Sequence, residues 1–476
     1  MLRSALLVLS VAVVACGSGG GATAPGGGSG GAAAAPVGGS GGAAGAPSTC
    51  VPGRQDPCVC PSGPGARRCR EDGRSYDACV CSGVGGAAGA GGVTAVGGAA
   101  GSGGVTVADD ADGDGFTVAQ GDCNDADASV GPNAFEALGD AVDNDCNGVV
   151  DDPPVPCDNS LDFVAKNPLD AARALGLCAV GVAKDPKTLA ERKPGVLDVR
   201  ISDISGPYLT SPPQQGASPE LQIGLLPSLG AATVPFEGGR FLALSSGIAR
   251  APGQPGHLGK EVCTSSLFAE KKSSYPPGFP KKAACDPLAG SGVPGDAIAI
   301  DMLVRAPVNA RSFRFDFRFF TCEYPNYVCK PFNDVFAVLM SPSPLAAGDI
   351  MTDESNTTAN VAFESTGAGS KSVIGVNNTS FLTVCENRPF GPTIPYVSCA
   401  GNEALVGSGF DGRGASGWLE SRVPVPAFAP GEDRLIYLRF AIWDSTDQIQ
   451  DSTAIVDRFR WSTDELTDAV TFPAVE

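Results

Sequence analysis

Residues 109–152 carry twelve aspartates and one glutamate and no lysine or arginine, in the order DDADGDGFTVAQGDCNDADASVGPNAFEALGDAVDNDCNGVVDD. Two unit charges about 6 Å apart repel by about 0.7 kcal/mol in bulk water, and by more near a protein surface. A compact fold of this segment therefore requires an added cation. Carboxylate and amide oxygens are hard ligands suited to calcium. The block supplies 13 negative charges to a chain of net charge −19. It points to an extracellular, calcium-dependent protein without naming a partner.

Within the block, Asp110, Asp112 and Asp114 occupy positions 1, 3 and 5 of a loop whose sixth residue is Gly115. This is the calcium-loop spacing that EF-hands also use. An EF-hand itself is excluded, because position 12 is Gly121 and no amphipathic helices flank the loop. Asp143, Asp145, Asn147 and Gly148 repeat the pattern, with Asp151 at position 9. Between the loops, Asp122, Asn124, Asp125 and Asp127 offer further oxygens, and a Cys123–Cys146 disulfide would staple the halves. Apolar residues are few, so metal binding would largely be the folding energy of the module.

The run Asp-x-Asp-Gly-Asp-Gly-Phe…Gly-Asp-Cys-Asn-Asp…Pro-Asn-Ala-Phe-Glu…Asp-Asn-Asp-Cys-Asn-Gly-x-x-Asp-Asp resembles a metal-binding repeat of bacterial surface proteins, over residues 110–152. Relatives are sometimes labelled copper-binding. This copy has no His or Met and only two cysteines, so calcium is the ion its donors supply best. The competing reading is a disordered acidic linker.

The N-terminus reads as an address. Arg3 precedes the apolar run Ala5 to Ala15, and Val13-Val14-Ala15-Cys16 fits a bacterial lipobox. Residues 1–15 are then a lipoprotein signal peptide, and Cys16 carries the lipid. The alternative is an ordinary secretory signal. No later stretch approaches the ~18 apolar residues of a membrane span, so lipid would be the membrane anchor. Seventeen cysteines less Cys16 leave an even number, as expected of an exported, disulfide-bonded chain. Proximity suggests Cys123–Cys146, Cys157–Cys178, Cys263–Cys285, Cys322–Cys329 and Cys385–Cys399. A zinc site is poorly supported, since Cys58-x-Cys60 and Cys79-x-Cys81 lack the usual spacer and His257 is the sole histidine.

Composition divides the rest. Residues 16–48 and 82–108 are Gly/Ala-rich and bury too little to offset chain entropy, so they are expected to be flexible tethers. Residues 49–81 form a six-cysteine unit that disulfides, not a core, must hold. Residues 109–156 are the Asp-rich module, and 157–476 have the composition of a globular domain. There Asn167-Pro168 followed by 169–175 predicts a short capped helix that Gly176 ends. In 312–320 phenylalanines alternate with charged residues, which predicts a strand with one face in a core and one in water. Strands are also expected at 239–245, 297–304, 332–340, 434–443 and 453–461. Many strands and one weak helix make the fold class mainly β, a large C-terminal β-sandwich or jelly roll with small appended modules.

The segments Phe241–Gly247, Pro307–Phe320, Thr321–Cys329, Phe332–Phe336, Gly414–Leu419 and Trp443–Asp447 resemble the choice-of-anchor L family of bacterial extracellular domains, over about 160–463. The resemblance implies an exported, β-rich domain attached to cells by varied anchors. A catalytic triad is disfavoured, because His257 lies in a Pro/Gly loop where a solvated histidine is the ordinary case. Glu323, Asn333, Asp334, Asp444, Asp447 and Asp451 near strand ends allow a carboxylate pair or a second structural calcium site, although turn-capping is favoured. Tyr324 and Tyr327 either stack on sugars or a protein partner, or plug the end of the sandwich, which is preferred. The leading expectation is a non-enzymatic, lipid-anchored protein of the cell envelope that binds an extracellular glycan or surface protein. The alternatives are a carboxylate-based hydrolase of an extracellular polymer and, third, a metal store. Nucleic acid is disfavoured by the net charge.

Overall fold

The computed structural model describes residues 110–475 apart from 163–165, 182–185, 189, 214–216, 259–262, 264–272, 280–292, 367–369, 379–380, 386–398, 400, 430 and 446–448, together with 55–60, 63–68, 70 and 80–81. The chain divides into two compact units, Met1–Ser102 and Gly103–Glu476. In the first, β1 (Gln55–Cys60), β2 (Gly63–Arg68) and β3 (Val80–Cys81) form an antiparallel sheet. The expected signal segment with Cys16, and the side chains of the six-cysteine unit, lie outside the described residues.

The second unit is mainly β and contains two antiparallel sheets. One runs β11 (Phe363–Thr366), β12 (Ser370–Gly375), β9 (Val335–Ser341), β16 (Leu435–Ser445), β7 (Pro294–Arg305), β4 (Gly195–Ser202), with β10 (Ala359–Asn360) paired to β9. The other runs β13 (Val384–Cys385), β14 (Gly414–Ala415), β8 (Ser312–Thr321), β17 (Ser452–Ser462), β6 (Phe241–Ser245), β5 (Ile223–Leu226). On it β15 (Leu419–Pro424) also pairs with β8 and carries β18 (Val470–Pro473).

The period-two pattern sets which side chains meet. Ile298, Ile300, Met302 and Val304 of β7 share one core with Phe313, Phe315, Phe317 and Phe319 of β8. Ring contacts Phe315–Phe440 at 5.8 Å and Phe317–Phe336 at 5.3 Å join the sheets directly. Each buried phenylalanine contributes about 1.5–3 kcal/mol relative to exposure. Helix α1 (Leu169–Ala174) closes on this core with Ala171, Ala172 and Ala174. Asn167 Oδ1 accepts the Leu169 N–H at 3.2 Å, and Gly176 leaves the helix at φ +98°. Among the described residues no helix is long and apolar enough to cross a membrane.

The charged face of β8 differs from expectation. Asp316 and Arg318 are only 1 % and 4 % exposed, so most of this face does not lie in water, and only Arg314 near the start of β8 stays partly exposed. A second apolar layer of Phe241, Phe320, Phe410, Trp418 and Ile455 covers the sheet. Burial requires that the charges be partnered. Asp316 accepts from the Arg458 guanidinium, and Arg318 donates to Ser416 O at 2.8 Å and Thr233 Oγ1 at 3.1 Å. The other sheet's outer face, with Trp443 of β16, is covered likewise by Ile204 and Phe279. Through that layer Arg439 makes a bidentate pair with Asp301 at 2.6 and 2.8 Å and donates to the carbonyls of Ile204 and Gly206.

The structure pairs Cys123 with Cys146, Cys157 with Cys178 and Cys385 with Cys399. The expected Cys263–Cys285 and Cys322–Cys329 pairs are replaced: Cys263 is bonded to Cys322, 59 residues away. Both lie in the covering apolar layer with Phe320 and Phe410, so sheet packing and not chain proximity selects the partner. Cys329 is disulfide-bonded as well. The eight-residue loop that a Cys322–Cys329 bond would close therefore does not form. Tyr324 is buried in the core, and Tyr327 stands edge-on to Phe332.

Two outcomes test this architecture. Arg439→Met, which leaves Asp301 buried without its guanidinium, should lower the unfolding free energy by about 3–5 kcal/mol in a denaturant titration. Peptide mapping without reduction should recover Cys263 linked to Cys322 and no Cys322–Cys329 peptide.

Candidate metal centre

Loop closure in the acidic module is done by the acids themselves. Asp110 accepts from Gly113 N at 2.7 Å and, through its other oxygen, from Gly115 N at 3.0 Å. Asp112 Oδ1 accepts from Asp114 N at 3.1 Å, and Asp114 Oδ1 from Phe116 N at 2.7 Å. The second loop repeats this pattern at its third and fifth positions, and at its first position shifts one donor from the fourth to the fifth residue. Asp143 accepts from Asn147 N at 3.0 Å and Gly148 N at 2.8 Å, Asp145 from Asn147 N at 3.1 Å, and Asn147 Oδ1 from Val149 N at 2.8 Å. Gly113, Gly115 and Gly148 take φ of +81°, +101° and +92°, the left-handed region that glycine enters without strain.

Asp110 and Asp143 spend both oxygens on the backbone, whereas Asp112 and Asp114 each spend one and keep the other. Asp112 Oδ2, Asp114 Oδ2, Asp122 Oδ2 and Glu136 Oε2 are buried and have no hydrogen-bond partner. Orphaned buried oxygens of one sign are costly unless a cation gathers them. One oxygen each from Asp110, Asp112 and Asp114 falls within 4.8 Å of the others. Two further triads meet the same limit, Glu136 with Asp143 and Asp145, and Glu136 with Asp140 and Asp151. Burial, reinforced by Asp112, Asp122 and Asp110, pushes Asp114 up to about 6 against the Phe116 N–H that lowers it. Burial likewise raises Asp112, Glu136 and Asp145.

The expected ligands thus divide. Asp110, Asp112 and Asp114 converge, and Asp122 and Asp125 lie near enough to raise Asp112. Asp143 and Asp145 converge on Glu136, while Asp151 approaches it with Asp140. Asn124 is exposed. Asp127 is taken up by Ser129, accepting its N–H at 3.0 Å and its hydroxyl at 2.6 Å, which holds the carboxyl low. Glu136 and Asp140 were not expected as ligands. Neither sits in an Asp-x-Asp-x-(Asp/Asn)-Gly loop, and the only sequence signal for Glu136 is its place between two such loops. Cys123 and Cys146 are consumed by their disulfide, so the donors are all oxygen.

The module is seated on the β-domain. Asn309 grips the backbone of Phe135, accepting its N–H at 2.9 Å and donating to its carbonyl at 2.8 Å, and Val308 N donates to Asn133 O at 3.1 Å. Beside this seam runs a groove of about 720 Å³, lined among others by Phe135, Leu138, Asp145, Arg314, Arg460 and Trp461. Arg460 pairs there with Glu237. His257 lies elsewhere, its Nδ1 3.0 Å from the carbonyl oxygen of Arg250.

Residues 122–152 match a family model described as "Putative metal-binding motif", whose name refers to copper. Comparison with curated proteins and with solved structures gives no match.

Asp114→Asn should weaken metal-ion binding by about tenfold or more in calorimetry, because it removes a charged, convergent oxygen. Glu136→Gln should weaken it too, whereas Asp127→Asn should leave it within about twofold.

Proposed function

We propose that this chain is an exported, lipid-anchored protein of the cell envelope, with calcium stabilising its acidic module and the β-sandwich binding an extracellular ligand without chemistry. The observation that carries the reading is the set of free, buried carboxylate oxygens in the twin loops. Calcium is favoured over copper by the donors. The module holds no histidine or methionine, and its two sulfurs are tied in a disulfide. Binding these loops would fix the seam on which Phe135 and Asn309 meet.

The ligand reading is supported by the groove beside that seam, where Trp461 and the guanidinium of Arg314 offer a stacking surface and charge. A glycan or a surface protein suits such a surface. The hydrolase alternative loses support from the placement of its acids. Glu323, Asp334, Asp444 and Asp451 are at most 1 % exposed and do not line an open cleft. Asp447 lies outside the described residues.

The test is a binding screen of the full chain against extracellular polysaccharides and surface proteins, with calcium and with a chelator. Saturable binding that chelation weakens, with no product released, is expected. Release of reducing ends from a polymer would establish the hydrolase instead, and absence of any binding would defeat the ligand reading. Trp461→Ala should weaken binding by roughly tenfold.

A further inference from the structure

A second group of acids lies at one end of the sandwich, where six strand ends meet. Asp444 of β16 is opposite Gly295 of β7, and Trp443 is opposite Val335 of β9. Ser452 of β17 is opposite Thr321 of β8, and Thr453 opposite Ser245 of β6. Gln222 joins the two sheets there, its Nε2 donating to Asp296 O at 2.8 Å and Ser246 O at 3.4 Å.

Five acids are buried at this end: Asp444 at 0 % exposure, Asp334, Asp451 and Glu323 at 1 %, and Asp296 at 5 %. Some of their oxygens are used. Ser452 Oγ donates to Asp334 Oδ2 at 2.6 Å, and Asp334 N donates to Glu323 Oε2 at 3.0 Å. Both carboxylate oxygens of Asp444, and both of Asp296, are buried without a hydrogen bond. Ser246 and Asp334 approach Asp444 without meeting hydrogen-bond geometry.

The charges acting most strongly on Asp444 are Asp334, Asp451 and Asp296, and those acting on Asp334 are Glu323 and Asp451; none is a cation. Burial first, and these neighbours second, raise Asp334 and Asp444 well above the usual carboxylate range. Protonation would remove a charge from the close Asp334–Asp444 pair, yet both oxygens of Asp296 would still lack a hydrogen-bond partner among the described protein groups. Two other buried acids of this domain are paired with guanidinium groups: Asp301 with Arg439, and Asp316 with Arg458. Space around the group is also kept by backbone. A Cβ on Gly247 would come within 2.0 Å of Asp451 Oδ2, and one on Gly375 within 2.5 Å of the Asp334 carbonyl.

We propose that Asp334, Asp444 and Asp451, with Asp296 and Glu323 beside them, form a second metal site that binds one dehydrated calcium ion and pins the two sheets together. Buried hard oxygens suit calcium, whereas magnesium sheds its water reluctantly. No three of these acids yet bring oxygens within 4.8 Å of one another, as the module's do, and drawing them together is what the ion does. The site is separate from the twin loops, so it stands whether or not the module binds calcium.

The experiment uses the full chain carrying Asp112→Asn and Asp145→Asn, which disables the loops. It is stripped with chelator, returned to neutral pH and titrated with calcium chloride alone. One tight site per chain should remain, calcium should raise the unfolding temperature, and magnesium at equal concentration should not. Adding Asp444→Asn should weaken that site by about 100-fold, because calcium affinity follows the count of charged ligands. If the loop variant retains no calcium, or if Asp444→Asn leaves the retained site unchanged, the proposal is overturned. Should the Asp444→Asn chain fail to fold, the loop variant decides alone: one tight calcium supports the site and none overturns it.

Discussion

Carboxylates held close together without enough cationic side chains constrain this protein more than any other interaction. In the acidic module no lysine or arginine is present, and backbone N–H groups engage only one oxygen of Asp112 and of Asp114. Such bonds shape the loops but do not neutralise them. The remaining oxygens converge, which makes the loops cation receptors and not merely acidic turns. The same constraint operates between the sheets at Asp334 and Asp444, in a drier setting where like charges cost more.

The sandwich handles its other buried charges differently. Both sheets are covered on their outer faces, so residues that would ordinarily meet water are enclosed. Asp301 and Arg439, and Asp316 and Arg458, resolve this with ion pairs between neighbouring strands, and Arg439 also holds a covering segment through the carbonyls of Ile204 and Gly206. Removal of one partner would strand the other in a buried setting. The layers therefore behave as one body, and the Cys263–Cys322 bond ties a covering segment to the end of β8 in the same way.

What the sequence revealed followed locality. Twin loops were readable because their ligands and their hydrogen-bond donors lie within seven residues. The β8 strand was readable from alternating phenylalanines, and the mainly β class from repeated strands between turns. Its charged face was misread because alternation reports that two faces differ, not that one is wet. Covering layers come from distant segments such as Leu229 and Trp418, which no local period announces. The Cys263–Cys322 pair was missed for the same reason, since 59 residues separate partners that meet only after the sheets pack. Glu136 escaped because its role depends on where Asp140, Asp143 and Asp151 fold back to it.

The seat of the module alters what a cation there would do. As an isolated bead on a tether, it would stiffen only itself. Here Asn309 binds the backbone at Phe135, one residue before Glu136, the acid shared by two of the oxygen triads. Ordering of Glu136 by a bound ion is thereby passed through one peptide unit to the seam with the β-domain. The groove bordered by Phe135, Asp145 and Trp461 lies along that seam, so its shape depends on the same contact. On the proposed ligand reading, metal affinity and ligand affinity would be linked through Glu136–Phe135–Asn309, and linkage would require the coupling to act equally in both directions.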